Sequence, residues 1–349
     1  MGRGRVFGIL TTAIVVLFMV AAVGGWFQVA LTSRHDLPAE GAQVTVLPGM
    51  STREIVGQLA RSGIVSDETA VLLWLTLTGK GRSLKAGDYE FQSPISPVEA
   101  IDKIRKGEVA ARRVTIPEGM NRFEVAATLA EKTGLAPAER FVELTADPAL
   151  INDLDPEATS LEGYLFPDTY VFTPKTTPEE LVDTMVSRFR SIYSSRPEFS
   201  QYASMRHMTL HEVITLASMV EEEARLDDER PVIASVFSNR LAKGMKLASD
   251  PTFVYAAQLA GDYDGNVNNP RHRVRNSPYN TYLVEGLPPG PIANPGMKSI
   301  EAALQPADTD YLYFVVNGTE GRHKFSRTVE EHERAVAEYR RQQHDEGAR

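Results

Sequence analysis

Val44-Thr45-Val46-Leu47-Pro48-Gly49-Met50 recurs 70 residues later as Val114-Thr115-Ile116-Pro117-Glu118-Gly119-Met120. At the same offset Glu54-Ile55 matches Glu124-Val125, and Leu59-Ala60 matches Leu129-Ala130. Each copy opens on a β-branched run, passes a glycine turn, and continues into apolar residues at helical spacing. That order predicts a strand, a turn and an amphipathic helix. In the first helix Ile55, Val56, Leu59 and Ala60 form the stripe; in the second Val125, Leu129 and Ala130 do.

Between the copies, Ala70–Thr78 is an apolar helical run and Gly87–Phe91 is strand-like. A further helix is expected over Pro97–Lys106, with Ser96 as N-cap and Gly107 beyond its end. The strand–helix–helix–strand order of residues 43–111 resembles small carbohydrate-binding LysM-like units, and a packing module that positions the rest of the chain fits it equally. From about residue 112 onward, helices are predicted over Pro178–Tyr193, Leu210–Arg225, Glu229–Ala242 and Ser299–Leu304. A strand over Tyr311–Val316 and a charged terminal helix follow. Mixed elements without regular strand–helix alternation predict an α+β fold.

Working back toward the N-terminus, residues 31–42 are polar and contain Pro and Gly. They read as a linker that reaches at most about 40 Å. Before them, Val6–Ala30 carries no charge over 25 residues. Such a helix is roughly 37 Å long, enough to cross a hydrocarbon core of about 30 Å. Trp26 and Phe27 stand where aromatic side chains anchor at an interface. Arg3 and Arg5 precede the run, and the first acidic residue is Asp36. The positive-inside rule therefore predicts a single-pass anchor in the cytoplasmic membrane, residues 1–5 in the cytoplasm and the bulk of the chain outside. A cleaved signal peptide is the alternative, since Ala21-Ala22-Val23-Gly24 offers small residues to a peptidase.

Composition narrows the chemistry. The 349 residues carry 37 Lys+Arg against 46 Asp+Glu, a net charge of −9, which argues against nucleic-acid binding. With no cysteine, disulfides, thiolate catalysis and Cys-based zinc sites are excluded. There is no HExxH, Walker A, GxGxxG or GxSxG pattern, so no cofactor is expected. His207 and His211 stand four residues apart but lack a third ligand. They read as surface residues, and no metal site is expected. His323 reads as a turn residue or as one facing a cleft.

Glu221-Glu222-Glu223 follow an apolar helical stripe of Val213, Leu216, Ala217 and Val220. At 100° per residue Glu222 points away from the stripe, while Glu221 and Glu223 fall on its opposite edges. A carboxyl at the margin of an apolar surface has a raised pKa and can stay protonated near neutrality to act as an acid. Periodicity leaves Glu221 and Glu223 both open. Asp250, Thr252 and Tyr255, and Ser277, Tyr279, Asn280, Thr281 and Tyr282, lie on polar, aromatic stretches expected to be loops. Their aromatic faces, hydroxyls and amide suit a pyranose ring.

The ordered motifs resemble the MltG/YceG family of endolytic murein transglycosylases. LASMVEEE (216–223) resembles the family's ASIIEKE segment. LEGYLFPDTY (161–170), VIASVFSNRLAKGMKLASDPTFVY (232–255), SPYNTYLVEGLPPGPIANPG (277–296) and YLYFVVNG (311–318) also correspond. The resemblance covers the whole chain, and implies an anchor (6–30), a LysM-like module (43–111), a catalytic domain (112–345) and a short tail (346–349). It implies cleavage between N-acetylmuramic acid and N-acetylglucosamine with a 1,6-anhydromuramic end, freeing nascent strands. The implied partners are peptidoglycan strands and the synthases of the elongation or division machinery. The last glutamate of the family segment corresponds to Glu223, which the resemblance implies is catalytic, with Glu221 as second choice. Glu222 replaces the family's usual lysine. A non-enzymatic, membrane-anchored peptidoglycan-binding scaffold is the competing reading.

Overall fold

In the computed structural model, which describes residues 3–39, 41–267, 269–317 and 321–347, and side chains only within 11–342, the chain divides into two units. These are Met1–Arg112 and Arg113–Arg349. Residues 1, 2, 348 and 349 of the expected tails, Glu40 of the expected linker and Gly318 of the last motif lie outside the described residues.

The first unit begins with helix α1 (Arg3–Thr32). Within it Thr11–Thr32 is long and apolar enough to cross a membrane. Its last turn is built into the unit's core: Leu31 is buried there and Phe27 packs against it. The following segment is tied down as well. His35 and Ile95 exchange backbone hydrogen bonds of 2.8 and 3.2 Å. Strand β1 (Ala42–Val46) then leads through helices α2 (Thr52–Arg61) and α3 (Glu68–Thr78) to strand β2 (Gly87–Phe91) and helix α4 (Pro97–Lys106). β1 and β2 pair antiparallel, Val44 opposite Tyr89. Alternation directs Val44, Val46, Tyr89 and Phe91 inward, onto the buried stripe Ile55, Val56 and Leu59.

The second unit repeats this order at the offset read from sequence. Strand β3 (Arg112–Thr115) leads to helices α5 (Arg122–Thr133) and α6 (Ala138–Ala146), and β3 pairs with β4 (Thr169–Phe172). Helix α7 (Pro178–Ser194) then occupies the place of α4. The repeat is therefore longer than its most obvious motif. Buried Val71 and Leu75 of α3 correspond to buried Phe141 and Thr145 of α6, still 70 residues apart. Buried Tyr89 and Phe91 correspond to Tyr170 and Phe172, and Ser96-Pro97-Val98-Glu99 to Thr177-Pro178-Glu179-Glu180, now 81 apart. The extra residues of copy two lie between its second helix and its returning strand. Matching capping boxes start the helices: Ser51 with Glu54, Asn121 with Glu124, Ser96 with Glu99, and Thr177 with Glu180. In each, side chain and backbone satisfy one another's free groups at the helix start.

The rest of the second unit comprises helices α8 (Pro197–Met205), α9 (Leu210–Glu223), α10 (Arg230–Ala242), α11 (Asp250–Leu259), the short α12 (Pro270–Arg273) and α13 (Met297–Leu304). It closes with the antiparallel hairpin β5 (Tyr313–Val316)–β6 (His323–Ser326) and helix α14 (Val329–Gly347). α9 is the central helix, buried from Val213 to Glu221. The expected α+β class is borne out. Asp250-Pro251-Thr252, expected on a loop, instead open α11, because proline without its N–H fits a first helical turn.

Candidate functional site

Three consecutive glutamates end α9, and their surroundings separate them. Glu221 is buried: one carboxylate oxygen takes Nη1 of Arg230 at 2.9 Å, the other the backbone N–H of Gly296 at 2.9 Å. Both of its oxygens are thus engaged in a structural ion pair. Glu222 is exposed, as the helical wheel predicts. Glu223 is half-buried and accepts a hydrogen bond from the Ser249 hydroxyl at 2.6 Å. Burial pushes its carboxyl up to about 7, reinforced by the charge of Asp250. The Ser249 hydrogen bond and the Arg240 guanidinium pull the other way. This carboxyl is poised between acid and base at neutral pH.

Ser249 is itself held by a small hydroxyl lattice. It is buried, and its N–H donates to Thr281 Oγ1 at 3.0 Å. Thr281 Oγ1 lies 2.9 Å from Thr252 Oγ1, which donates to the Ser249 carbonyl at 2.6 Å. Ala248, just before, has φ +48, a left-handed conformation that a non-glycine residue adopts at a cost. Its N–H donates to the Thr281 carbonyl at 3.0 Å. Thr252 and Thr281, chosen from sequence as sugar contacts, are fully buried and spend their hydroxyls on this lattice. Asn280 is also fully buried, and its amide donates to the carbonyls of Arg273 and Arg275 at 2.9 Å each. It shapes the turn that carries Arg273.

The remaining candidates stand nearer the surface. Asp250 accepts from the Tyr282 hydroxyl at 2.5 Å, and Arg273 lies over the Tyr282 ring at 4.5 Å. Tyr279 is partly buried against Tyr255, ring centroids 5.1 Å apart, and Ser277 accepts the Tyr279 N–H at 3.2 Å. Tyr255 is buried, and its hydroxyl donates to Glu162 at 2.9 Å.

Glu162 had no role in the sequence reading. It is buried, and takes the backbone N–H of Arg122 and the Asn294 amide as well as Tyr255. Burial raises its carboxyl to about 7. Asn294 also went unassigned. It ties Leu165 and Met120 together, at 2.9 Å and 2.8 Å, and so joins three of the quoted motifs. Gly163 next to Glu162 has φ +87, and a Cβ there would lie 2.6–2.7 Å from Pro291 and Ile214. Only glycine lets these segments meet.

The histidines depart from expectation. His207 is exposed, but His211 is buried. Its two ring nitrogens contact Asp155 at 2.7 Å and the Pro289 carbonyl at 2.8 Å. Acceptors on both sides favour the doubly protonated ring, and the Asp155 contact raises its pKa. His323 is not in a turn: it lies on β6, its side chain almost wholly covered and bonded to Glu229 at 2.8 Å. Among the described residues no cluster of His, Asp and Glu has the geometry to hold a metal ion.

Residues 44–338 match the model of the YceG-like family, and the chain belongs to that family. Over 312 residues it is 34% identical to the endolytic murein transglycosylase of Bacillus subtilis, covering 85% of this chain and 84% of that protein. The endolytic murein transglycosylase of Streptococcus pneumoniae (strain D39) is 31% identical over 94% of this chain and 65% of its own length. A crystal structure of a putative yceG-like protein from Listeria monocytogenes aligns with a TM-score of 0.58 at 30% identity. It covers 84% of this chain and 98% of that one.

Proposed function

We propose that this chain is an endolytic murein transglycosylase anchored in the cytoplasmic membrane, with Glu223 as its catalytic acid and base. The observation that carries this reading is the state of Glu223. Of the three glutamates ending α9, Glu221 is held in an ion pair, and Glu222 is exposed yet pushed up to about 8 by desolvation and the surrounding carboxylates. Glu223 combines partial burial, a pKa raised to about 7, freedom from an ion pair and a hydroxyl partner that orients it. The relatives' names supply the substrate class, peptidoglycan.

One carboxyl group suffices for the chemistry. Protonated Glu223 gives its proton to the glycosidic oxygen between N-acetylmuramic acid and N-acetylglucosamine as that bond breaks through an oxocarbenium-like state. The resulting carboxylate then takes the proton of the muramic 6-hydroxyl, whose oxygen attacks the anomeric carbon and closes the 1,6-anhydro ring. The nucleophile is tethered to the electrophile, so no second carboxylate is required to activate water. Ser249 orients Glu223. Asp250, Tyr282, Tyr279 and Ser277 are proposed sugar contacts, while Thr252, Tyr255, Asn280 and Thr281 act from behind them.

The topology follows from the anchor: Arg3 and Arg5 keep the N-terminus inside, and residues from 31 onward face outward. Because Leu31 lies in the first unit's core, that unit starts at the membrane surface rather than on a free tether. Its substrate is then a nascent strand near its lipid carrier, and peptidoglycan synthases are natural neighbours. The strand–helix–helix–strand order of residues 43–111 is what supports reading that module as LysM-like. Digestion of purified glycan strands tests the activity: wild type yields shorter, anhydro-ended products, and Glu223→Gln yields none. Sacculus binding without any glycan release by wild type would instead establish the scaffold reading.

A further inference from the structure

The two copies of the strand–helix–helix–strand repeat differ at one place, where the chain leaves the second helix. In copy two, Leu161 and Glu162 run between the start of α5 and the end of α6. The Leu161 N–H donates to the Thr145 carbonyl at 2.9 Å, and both Glu162 oxygens accept the Arg122 N–H at 3.0 Å. Leu161 is fully buried.

In copy one the equivalent positions are Thr52 and Leu75, 70 residues earlier. Between them runs Gly81, whose carbonyl accepts from Thr52 Oγ1 at 3.2 Å. Gly81 has no side chain, and a Cβ there would lie 3.1 Å from Thr52 and 3.7 Å from Leu75. Where copy two places an apolar side chain and a carboxylate, copy one holds Gly81, and beside it opens a groove of about 820 Å³. Leu72, Leu75 and Leu77 supply its apolar lining, with Leu77 72% exposed, and Arg53 and Arg82 line it as well. Its lining contains neither an acidic nor an aromatic residue.

We propose that this groove docks an extended segment of a protein partner that presents an apolar side chain followed by a carboxylate. The two arginines complement a carboxylate, which steers and orients an acidic segment. A sugar is the less suitable occupant, because pyranose rings are gripped by aromatic faces that this lining lacks. The groove belongs to the first unit, so it recruits a partner without occupying the glutamate site of the second.

The test uses the full chain in lipid nanodiscs, panned against a displayed library of 12-residue peptides. Enriched peptides should share an apolar residue followed by Asp or Glu. Their affinity should fall at least about tenfold on the double variant Arg53→Glu/Arg82→Glu, the scale of reversing charges at an interface. Leu77→Ser, at an exposed site that leaves folding intact, should weaken them severalfold. The proposal is overturned if no acidic–apolar peptide is enriched, or if enriched peptides bind the variants as tightly as wild type. It is also overturned if chitotetraose displaces the peptides and itself loses affinity in the same variants, which would make the groove a sugar site.

Discussion

Glu223 illustrates how an environment assigns roles to three chemically identical side chains. Glu221 meets a guanidinium and a backbone N–H and becomes a structural anion. Glu222 is exposed but crowded by carboxylates, which together with desolvation push it up to about 8 without giving it a partner that orients it. Glu223 meets a hydroxyl at the edge of a buried helix and keeps a proton near neutrality. Its folded-state pKa lies above the ordinary 4.5, so the folded protein binds the proton more tightly than the unfolded chain. The stability this confers is complete below pH 4.5 and is lost as pH rises through about 7. Glu223→Gln should therefore melt higher than wild type at pH 8, by on the order of 1–3 kcal/mol, and show little difference at pH 4. Denaturant titrations at the two pH values check this. Ser249→Ala makes a second residue-scale prediction. The Ser249 hydroxyl lowers the Glu223 pKa, so its loss should move the alkaline limb of the activity profile upward. Peak activity should fall on the order of tenfold, since a hydrogen bond to a charged group is worth ~1.5–3 kcal/mol. A rate loss with an unmoved alkaline limb would mean that Ser249 acts only on packing.

At the scale of elements, α9 is held from both ends of the motif-rich region. Ser218 accepts the Ile292 N–H at 3.0 Å, and His211 reaches the Pro289 carbonyl. The Pro288–Pro291 turn is thus clamped to the helix that carries Glu223. His211 is raised by its contact with Asp155. Asp155 is lowered, because its bonds to His211 and Tyr164 outweigh the effect of burial. The pair's stabilisation is complete between the ordinary values of 3.8 and 6.5. It fades as pH rises through the elevated histidine value or falls through the depressed aspartate value. His211→Phe should destabilise by about 3 kcal/mol at pH 6, the scale of breaking a buried charge pair. The loss should shrink by pH 9, which thermal melts can follow.

How much of this was legible in the sequence depends on the distance over which each feature is determined. Helices α4, α7 and α10 follow from local spacing, caps and turn residues to within a residue, and the stripe of α2 follows from spacing alone. The strand β4 and helices α6 and α8 were not read, since four residues of strand or a short helix carry too little periodicity. The helical wheel put Glu221 and Glu223 on the edges of one stripe, but the choice between them rests on Arg230 and Ser249. These lie 9 and 26 residues away in sequence, and only folding brings them close. For the same reason His211 read as a surface residue: its partner Asp155 is 56 residues upstream. Thr252, Asn280 and Thr281 were chosen for chemistry that sugars want, and the fold spends that chemistry on its own backbone.

At the scale of the whole molecule, charge is divided unevenly. Residues up to Arg112 contain 12 Lys+Arg and 10 Asp+Glu, while those from Arg113 contain 25 and 36. The first unit is close to neutral, which suits its proposed start beside a membrane, and the acidic excess belongs to the unit carrying Glu223. The anchor is structurally continuous with the first unit, and this gives a further prediction. A chain starting at Trp26 should leave the membrane yet keep the first unit folded. One starting at Ser33 also loses the buried side chains of Ala30 and Leu31 and the packing of Phe27, and should destabilise that unit by about 3 kcal/mol. Membrane sedimentation and melting of the two truncations separate the roles. The central claim, that one glutamate cleaves glycan strands by internal transfer, is tested most directly by mass spectrometry of digested strands. The account predicts product ends lighter than reducing ends by one water for wild type, and intact strands for Glu223→Gln. Reducing muramic ends, or undiminished cleavage by Glu223→Gln, would contradict it.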